Sequence, residues 1–329
     1  MSAPSYIALH QSGELRRRVR ELERRLKHCD ICPWRCGVNR LAGETRVCVS
    51  GCLPVVSGWA PHFGEEPVLS GTHLAKGEAR GTGNVFFGRC NLRCVYCQNW
   101  QISQGAVADS QETTPERLAA ILLELQAQGC HSLGFVSPTH FVPQIVRAID
   151  LAAPRVLRLP LVYNTSAYDN VDVLRLVEDV FDIYLPDLRY SDDETAKECS
   201  GARDYVGHAR AIGAEMHRQL GHDLVVDGRG LLRRGLIVRL LVLPNDLAGL
   251  RGSLEWLAGA LSPRVAISVM TQYYPAHLAN SGRFPLLERR ITPSEYDRIL
   301  GWMEELGFET GWVQPLEAGA ADHYRPDFS

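Results

Sequence analysis

The stretch VFFGRCNLRCVYCQNW, from Val85 to Trp100, constrains the chain more than any other. Cys90, Cys94 and Cys97 follow an apolar run in C-x3-C-x2-C spacing, which puts three thiolates at the C-terminal end of a strand. Thiolates are soft ligands that select iron–sulfur clusters, zinc or Cu(I), and so short a loop can turn all three toward one inorganic core. Their number is informative. A structural zinc and a four-iron cluster each take four protein ligands, so three local cysteines imply a distant fourth or an iron left open.

The aromatic residue before the last cysteine narrows this further. Cys90, Cys94, Tyr96 and Cys97 meet the pattern C-x3-C-x-aromatic-C, in which the sequence resembles the radical SAM superfamily. The resemblance implies a [4Fe-4S] cluster whose open iron chelates the amino and carboxylate groups of S-adenosylmethionine (SAM). One injected electron then cleaves the sulfur–C5′ bond to a 5′-deoxyadenosyl radical, which abstracts a substrate hydrogen. A zinc knuckle borrowing a remote ligand, or a loop of unrelated thiols, is the alternative; the aromatic and the preceding strand favour the cluster. Arg89 and Arg93 flank the trio and could offset its charge, although loop arginines are commonly just solvated.

A second cysteine-rich stretch lies upstream. CDICPWRCGVNRLAGETRVCVSGC carries Cys29, Cys32, Cys36, Cys48 and Cys52 in C-x2-C-x3-C-x11-C-x3-C spacing. Glycine and proline leave little room there for regular structure, so a metal core is the expected source of order. Cys29, Cys32, Cys36 and Cys48 are the expected ligands, with Cys52 as the spare. Zinc and a second [4Fe-4S] cluster fit four thiolates equally, the one structural, the other able to relay electrons or hold substrate. Ten cysteines without an export signal point to metal ligation rather than disulfides, and to a cytoplasmic protein. The net charge of −3 gives no electrostatic footing for nucleic acid or an anionic membrane, and no apolar run is long enough for a span.

From Glu14 to Lys27 the pattern reads as an amphipathic helix, with Leu15, Val19, Leu22 and Leu26 on one stripe and Glu14–Arg18, Glu21–Arg25 and Glu23–Lys27 at i,i+4 spacing. Gly58 to Gly83 reads as loop; within it His62 and His73 could be ligands and Glu65 and Glu66 could face a cation, although polar surface is the commoner reading for all four. Beyond it, apolar runs alternate with helical periods, which argues for βα units on a parallel sheet. Strands are expected at Val85–Phe87, Ser132–Ser137, Pro160–Asn164, Val180–Pro186, Leu236–Pro244 and Val265–Gln272. Helices are expected at Pro115–Gln128, Phe141–Ala153, Val171–Glu178, Arg203–Leu220, Leu247–Leu261 and Pro293–Leu306, with a hairpin at Asp223–Gly235. The expected α/β organisation is a helix over 1–28, a metal-binding segment and loop over 29–84, a partial (βα)6 TIM-like barrel over 85–311 and a tail over 312–329.

Working residues gather where parallel strands end, and these ends are polar. Asn170, Asp192 and Asp246 read as helix caps, and Cys130 and Cys199 as buried small apolar residues. Tyr273 and Tyr274 could relay a hydrogen atom, and His323 and Tyr324 could close the mouth. The blocks HFGEEPVLSG, CNLRCVYCQNWQIS, FVSPTHFVPQI, YNTSAYDN, YLPDLRY and TQYYP resemble the pyruvate formate-lyase activating enzyme group, and more closely related proteins with a cysteine-rich N-terminal segment. Transferred by position, the resemblance puts Tyr96, Ser137, Thr139, Asn164, Ser166, Asp187 and Arg239 around SAM, with Arg189 where that group has a lysine. A guanidinium does not hold a carboxylate as an ammonium does. Ser137-Pro138-Thr139 replaces the Gly-Gly-Glu used for the SAM amino group. The implied partners are a flavodoxin or ferredoxin donor and a glycyl radical enzyme or peptide substrate. A small-molecule substrate, or a non-enzymatic metal scaffold, are the other readings.

Overall fold

A computed structural model describes residues 3–105 and 112–316. Its strands are β1 (Val56–His62), β2 (Thr82–Phe87), β3 (Ser132–Val136), β4 (Leu161–Thr165), β5 (Ile183–Pro186), β6 (Val225–Val226), β7 (Leu232–Leu241), β8 (Ala266–Met270) and β9 (Gly311–Val313). Its helices are α1 (Ser5–Gln11), α2 (Glu14–Arg24), α3 (Pro67–Ser70), α4 (Trp100–Ser103), α5 (Pro115–Ala127), α6 (Val142–Ala152), α7 (Val171–Leu176), α8 (Asp193–Ser200), α9 (Tyr205–Leu220), α10 (Leu250–Trp256) and α11 (Pro293–Glu305).

The sheet runs β1-β2-β3-β4-β5-β7-β8-β9, with β6 hairpinned onto β7. Neighbours in the sheet are neighbours along the chain, which is the winding of a barrel rather than of a doubly wound sheet. The ladders from β2 to β9 are parallel, β1 is antiparallel to β2, and no pairing closes the sheet among the described residues. The fold is therefore an open α/β barrel. Strands covered on both faces need apolar residues on both, and Leu133, Phe135, Tyr184, Ile237 and Val238 are all buried.

Alternation along the strands separates two cores. Tyr163, Tyr184, Leu236 and Val238 point outward into the large core beneath the helices. Val162, Ile183, Leu185, Ile237 and Ala266 point inward and close around Leu69 of α3. The short α3 is thus a plug inside the barrel. Outside, α1 and α2 lie against the helical layer: His10 pairs with Asp150 (2.8 Å), and the Ser5 backbone N–H donates to Asp182 (2.9 Å). Leu15, Val19, Leu22 and Leu26 are buried, as their period requires. Of the expected i,i+4 pairs Glu14–Arg18 forms (2.8 Å), whereas Arg25 turns to Asp30 (2.7 Å) and Glu21 to Arg24.

Several expectations need correction. Gly58–Gly83 is not loop: it supplies β1 and α3, whose glycines and prolines hide any period. The boundary at residue 84/85 falls inside β2, so the sheet is continuous across it. Seven strands, not six, form the parallel ladders, because β9 adds to β8; α8 was not foreseen. Asn170 and Asp192 cap α7 and α8, while Asp246 accepts the Leu250 N–H (3.3 Å) without being an N-cap. Cys130 and Cys199 are buried, and Tyr273 donates to the Leu287 carbonyl (2.6 Å). His323 and Tyr324 lie outside the described residues. Among the described residues no helix is long and apolar enough to cross a membrane.

Candidate active site

Leaving β2, the chain turns through Gly88 and Arg89, whose φ of 65° is left-handed, and delivers Cys90 to the C-terminal mouth of the barrel. Cys90, Cys94 and Cys97 line a cavity of about 400 Å³ there, within the usual size of a small-molecule site. Each sulfur meets at least one hydrogen-bonding group. The Leu92 N–H donates to Cys90 Sγ (3.4 Å), the Ser200 hydroxyl to Cys94 Sγ (2.9 Å), and Ser103 Oγ lies 3.2 Å from Cys97 Sγ. Behind Ser200 a buried hydroxyl chain runs to Tyr190 (2.6 Å) and on to Tyr96 (2.6 Å). Burial pushes the Cys90 thiol up to about 12 and raises that of Cys97, with Arg189 acting in the opposite sense on both.

Among the described residues no three Cys, His, Asp or Glu side chains converge so as to hold a single metal ion. The thiols instead ring a cavity, a donor set that fits a sulfur-ligated cluster of several irons with one position left to a ligand.

Of the other expected site residues, Tyr96, Ser137, Asn164, Ser166, Asp187 and Arg239 line this cavity. Thr139 does not; its hydroxyl is tied to Thr165 (3.2 Å) in the wall. Arg239 is committed elsewhere. Its guanidinium grips both Glu66 oxygens (2.9 and 2.5 Å) and also Glu65, while Glu65 accepts from Asn84 of β2 (2.7 Å). Glu65 and Glu66, expected at the surface, are therefore buried in the cavity floor above the α3 plug. Burial works to raise the Glu65 carboxyl, but Arg239 and His62 outweigh it and hold the group below the ordinary range. At Asp187 burial wins over Arg189 and Arg239, and its carboxyl is raised. Arg189 binds Asp187 (2.7 Å) and keeps a buried Nε with no partner. Spacing alone does not show what Glu65, Glu66 and Ser200 do, since Arg239 and Cys94, which they hold, lie more than a hundred residues away.

The upstream thiols form a second set. Cys29, Cys32, Cys36 and Cys48 line one small cavity with Trp34, Arg40, Val47 and His140, and Cys52 is exposed away from it. Burial raises the Cys32 and Cys36 thiols, while N–H groups of Trp34 and Val47 donate to the respective sulfurs. Buried Arg40 donates to the Gly51 and His140 carbonyls (2.7 Å each). Burial lowers His140 to about 3, so it is neutral; its Nε2 meets the Gly88 carbonyl (3.1 Å) and its Nδ1 has no partner.

The sequence profile of the Radical SAM superfamily matches residues 84–218. An uncharacterised protein of Methanocaldococcus jannaschii, MJ0674, is 26% identical over 292 residues, covering 86% of this chain and 76% of that protein. Among solved structures, a radical SAM methyltransferase from Sphaerobacter thermophilus aligns at 13% identity and a TM-score of 0.47, over 71% of this chain and 66% of that one. The [FeFe]-hydrogenase maturase HydG aligns at 13% and 0.46 over 69% and 49%, and methylornithine synthase PylB at 14% and 0.46 over 70% and 70%. The chain thus spans less than two thirds of the first two structures.

Proposed function

We propose, from the match of residues 84–218 to the Radical SAM superfamily, which implies a [4Fe-4S] cluster and SAM, that the chain cleaves SAM reductively and abstracts a hydrogen atom from a substrate. The observation that carries this reading is the cavity itself: it gathers the three motif thiols and the polar strand ends in one place. When bound, the cluster supplies the single electron for cleavage. Cys90, Cys94 and Cys97 would hold its irons, and the donors on their sulfurs would offset the thiolate charge.

Arg189, which stands where the resembling group has a lysine and has a free Nε at the cavity, would hold the SAM carboxylate, whereas Arg239 already holds two carboxylates. Oxygens of Ser137, Asn164, Ser166 and Asp187 offer acceptors for the SAM amino group in place of the absent Gly-Gly-Glu.

For the substrate we favour a backbone glycine of a glycyl radical enzyme, on the resemblance to activating enzymes, with a flavodoxin or ferredoxin as electron donor. A peptide or small-molecule substrate is the second reading, supported by the upstream cysteine quartet, which would serve as an auxiliary cluster or zinc site. The test is 5′-deoxyadenosine formation by anaerobically reconstituted protein with SAM and a strong reductant. Wild type should form it and Cys97→Ala should not; a fully loaded wild type that forms none with any candidate substrate would leave only a scaffold role.

A further inference from the structure

We infer that the Cys29/Cys32/Cys36/Cys48 centre is an iron–sulfur electron relay into the Cys90/Cys94/Cys97 cluster, and neither a substrate dock nor a structural zinc. This rests on reading the trio as the cluster site.

A substrate dock would have to open into the cavity where SAM lies. It does not: the residues lining the quartet cavity and those lining the trio cavity have no member in common. Yet the two sets of thiols are joined directly through their loops. The Trp34 indole, in the wall of the quartet cavity, donates to the carbonyl of Asn91, next to Cys90 (2.8 Å). Arg93, next to Cys94, donates to the carbonyl of Val47, next to Cys48 (2.8 Å). His140, also in the quartet wall, meets the carbonyl of Gly88, two residues before Cys90 (3.1 Å).

A wall shared through three contacts but closed to ligand passes electrons and excludes substrate. The four thiols that line one cavity are the full ligand set of a four-iron cluster, the centre that can carry an electron where zinc cannot. Cys29 and Cys32 are buried, but Leu41 and Val49 within the segment are 48% and 45% exposed, which leaves apolar surface for a protein donor. The step balances simply. A reduced ferredoxin- or flavodoxin-type protein gives one electron to the oxidised quartet cluster, that electron moves to the oxidised trio cluster, and no bond or proton moves in the transfer.

The experiment uses the full chain, reconstituted anaerobically with iron and sulfide. In a Cys90→Ala/Cys94→Ala/Cys97→Ala variant we expect about four irons and four sulfides per chain, and, after dithionite reduction, an electron paramagnetic resonance signal that SAM leaves unchanged. Zinc, or no metal, in that variant overturns the proposal. In Cys32→Ala/Cys36→Ala the SAM-sensitive signal of the trio should persist, while reduction of the trio by reduced flavodoxin slows by an order of magnitude or more. Trp34→Phe, which keeps all four ligands, should slow the same step while retaining both signals. Unchanged flavodoxin kinetics in both variants would overturn the relay. A chain whose signal SAM never perturbs would instead sink the trio reading, whatever the quartet holds.

Discussion

Ser200 shows how much a single residue can contribute without touching substrate. Its hydroxyl donates to Cys94 Sγ and is backed by Tyr190 and Tyr96, all buried. A donor on a ligand sulfur favours the more negative, reduced cluster, so Ser200→Ala should move the midpoint to more negative potential. A change of about 1.4 kcal/mol corresponds to about 59 mV for one electron, so a shift of roughly 30–60 mV is expected from an optical or paramagnetic redox titration. Tyr190→Phe should shift it less, in the same direction; an unmoved midpoint in Ser200→Ala would end this role. Glu65 gives a second residue-scale prediction. Its folded-state carboxyl lies below the ordinary 4.5, so its contribution to stability is present above pH 4.5 and is lost as pH falls below it. Glu65→Gln should flatten the acid-side loss of stability by up to roughly 1.4 kcal/mol per pH unit below that point, read from urea unfolding at stepped pH. The cysteines were legible because ligand spacing is local. Ser200 and Glu65 were not, because their significance lies in partners brought by other strands.

Elements divide along the same line. β3, β4, β5, β7 and β8 announce themselves as continuous apolar runs, because strands covered on both faces need no polar alternation. The capping box of Thr292 and Glu295 at the start of α11 is equally local. β1 and α3 were illegible: a half-exposed strand carrying Gly58 and Pro61, and a helix of four residues, have too little period to read. α8 begins among aspartates that also read as an ordinary strand end. The α3 plug nevertheless matters to the barrel, since Leu69 is 1% exposed and belongs to one buried cluster with residues of four strands. Leu69→Ala should cost about 2–5 kcal/mol in unfolding free energy, the range for emptying a buried leucine site. A loss below 1 kcal/mol by chemical denaturation would mean the barrel interior closes without it.

At the scale of the whole molecule, the segment before the barrel motif is part of the barrel. β1 edges the sheet, α3 fills its interior, and Glu65 and Glu66 tie it to Arg239 of β7. A fragment of residues 84–329 would lack all three and would leave Arg239 as an unpaired buried cation, which costs about 3–5 kcal/mol by itself. Such a fragment should bind the dye ANS and lose near-ultraviolet circular dichroism while keeping much of its helix signal. A sharp, cooperative melt in that fragment would show that the boundary expected before Val85 is real. The same plug sets an order on biosynthesis. Glu65 and Arg239 are 174 residues apart, and at about 5–20 residues per second the ribosome adds the second roughly 9–35 s after the first. During that interval the two carboxylates must wait in solvent, and α3 has no interior to enter. The nascent chain is therefore open through its middle until β7 emerges, which makes the stretch of translation between Glu65 and Arg239, about half of the chain, the window in which a chaperone, or a delivered cluster, still has access to the barrel's inside.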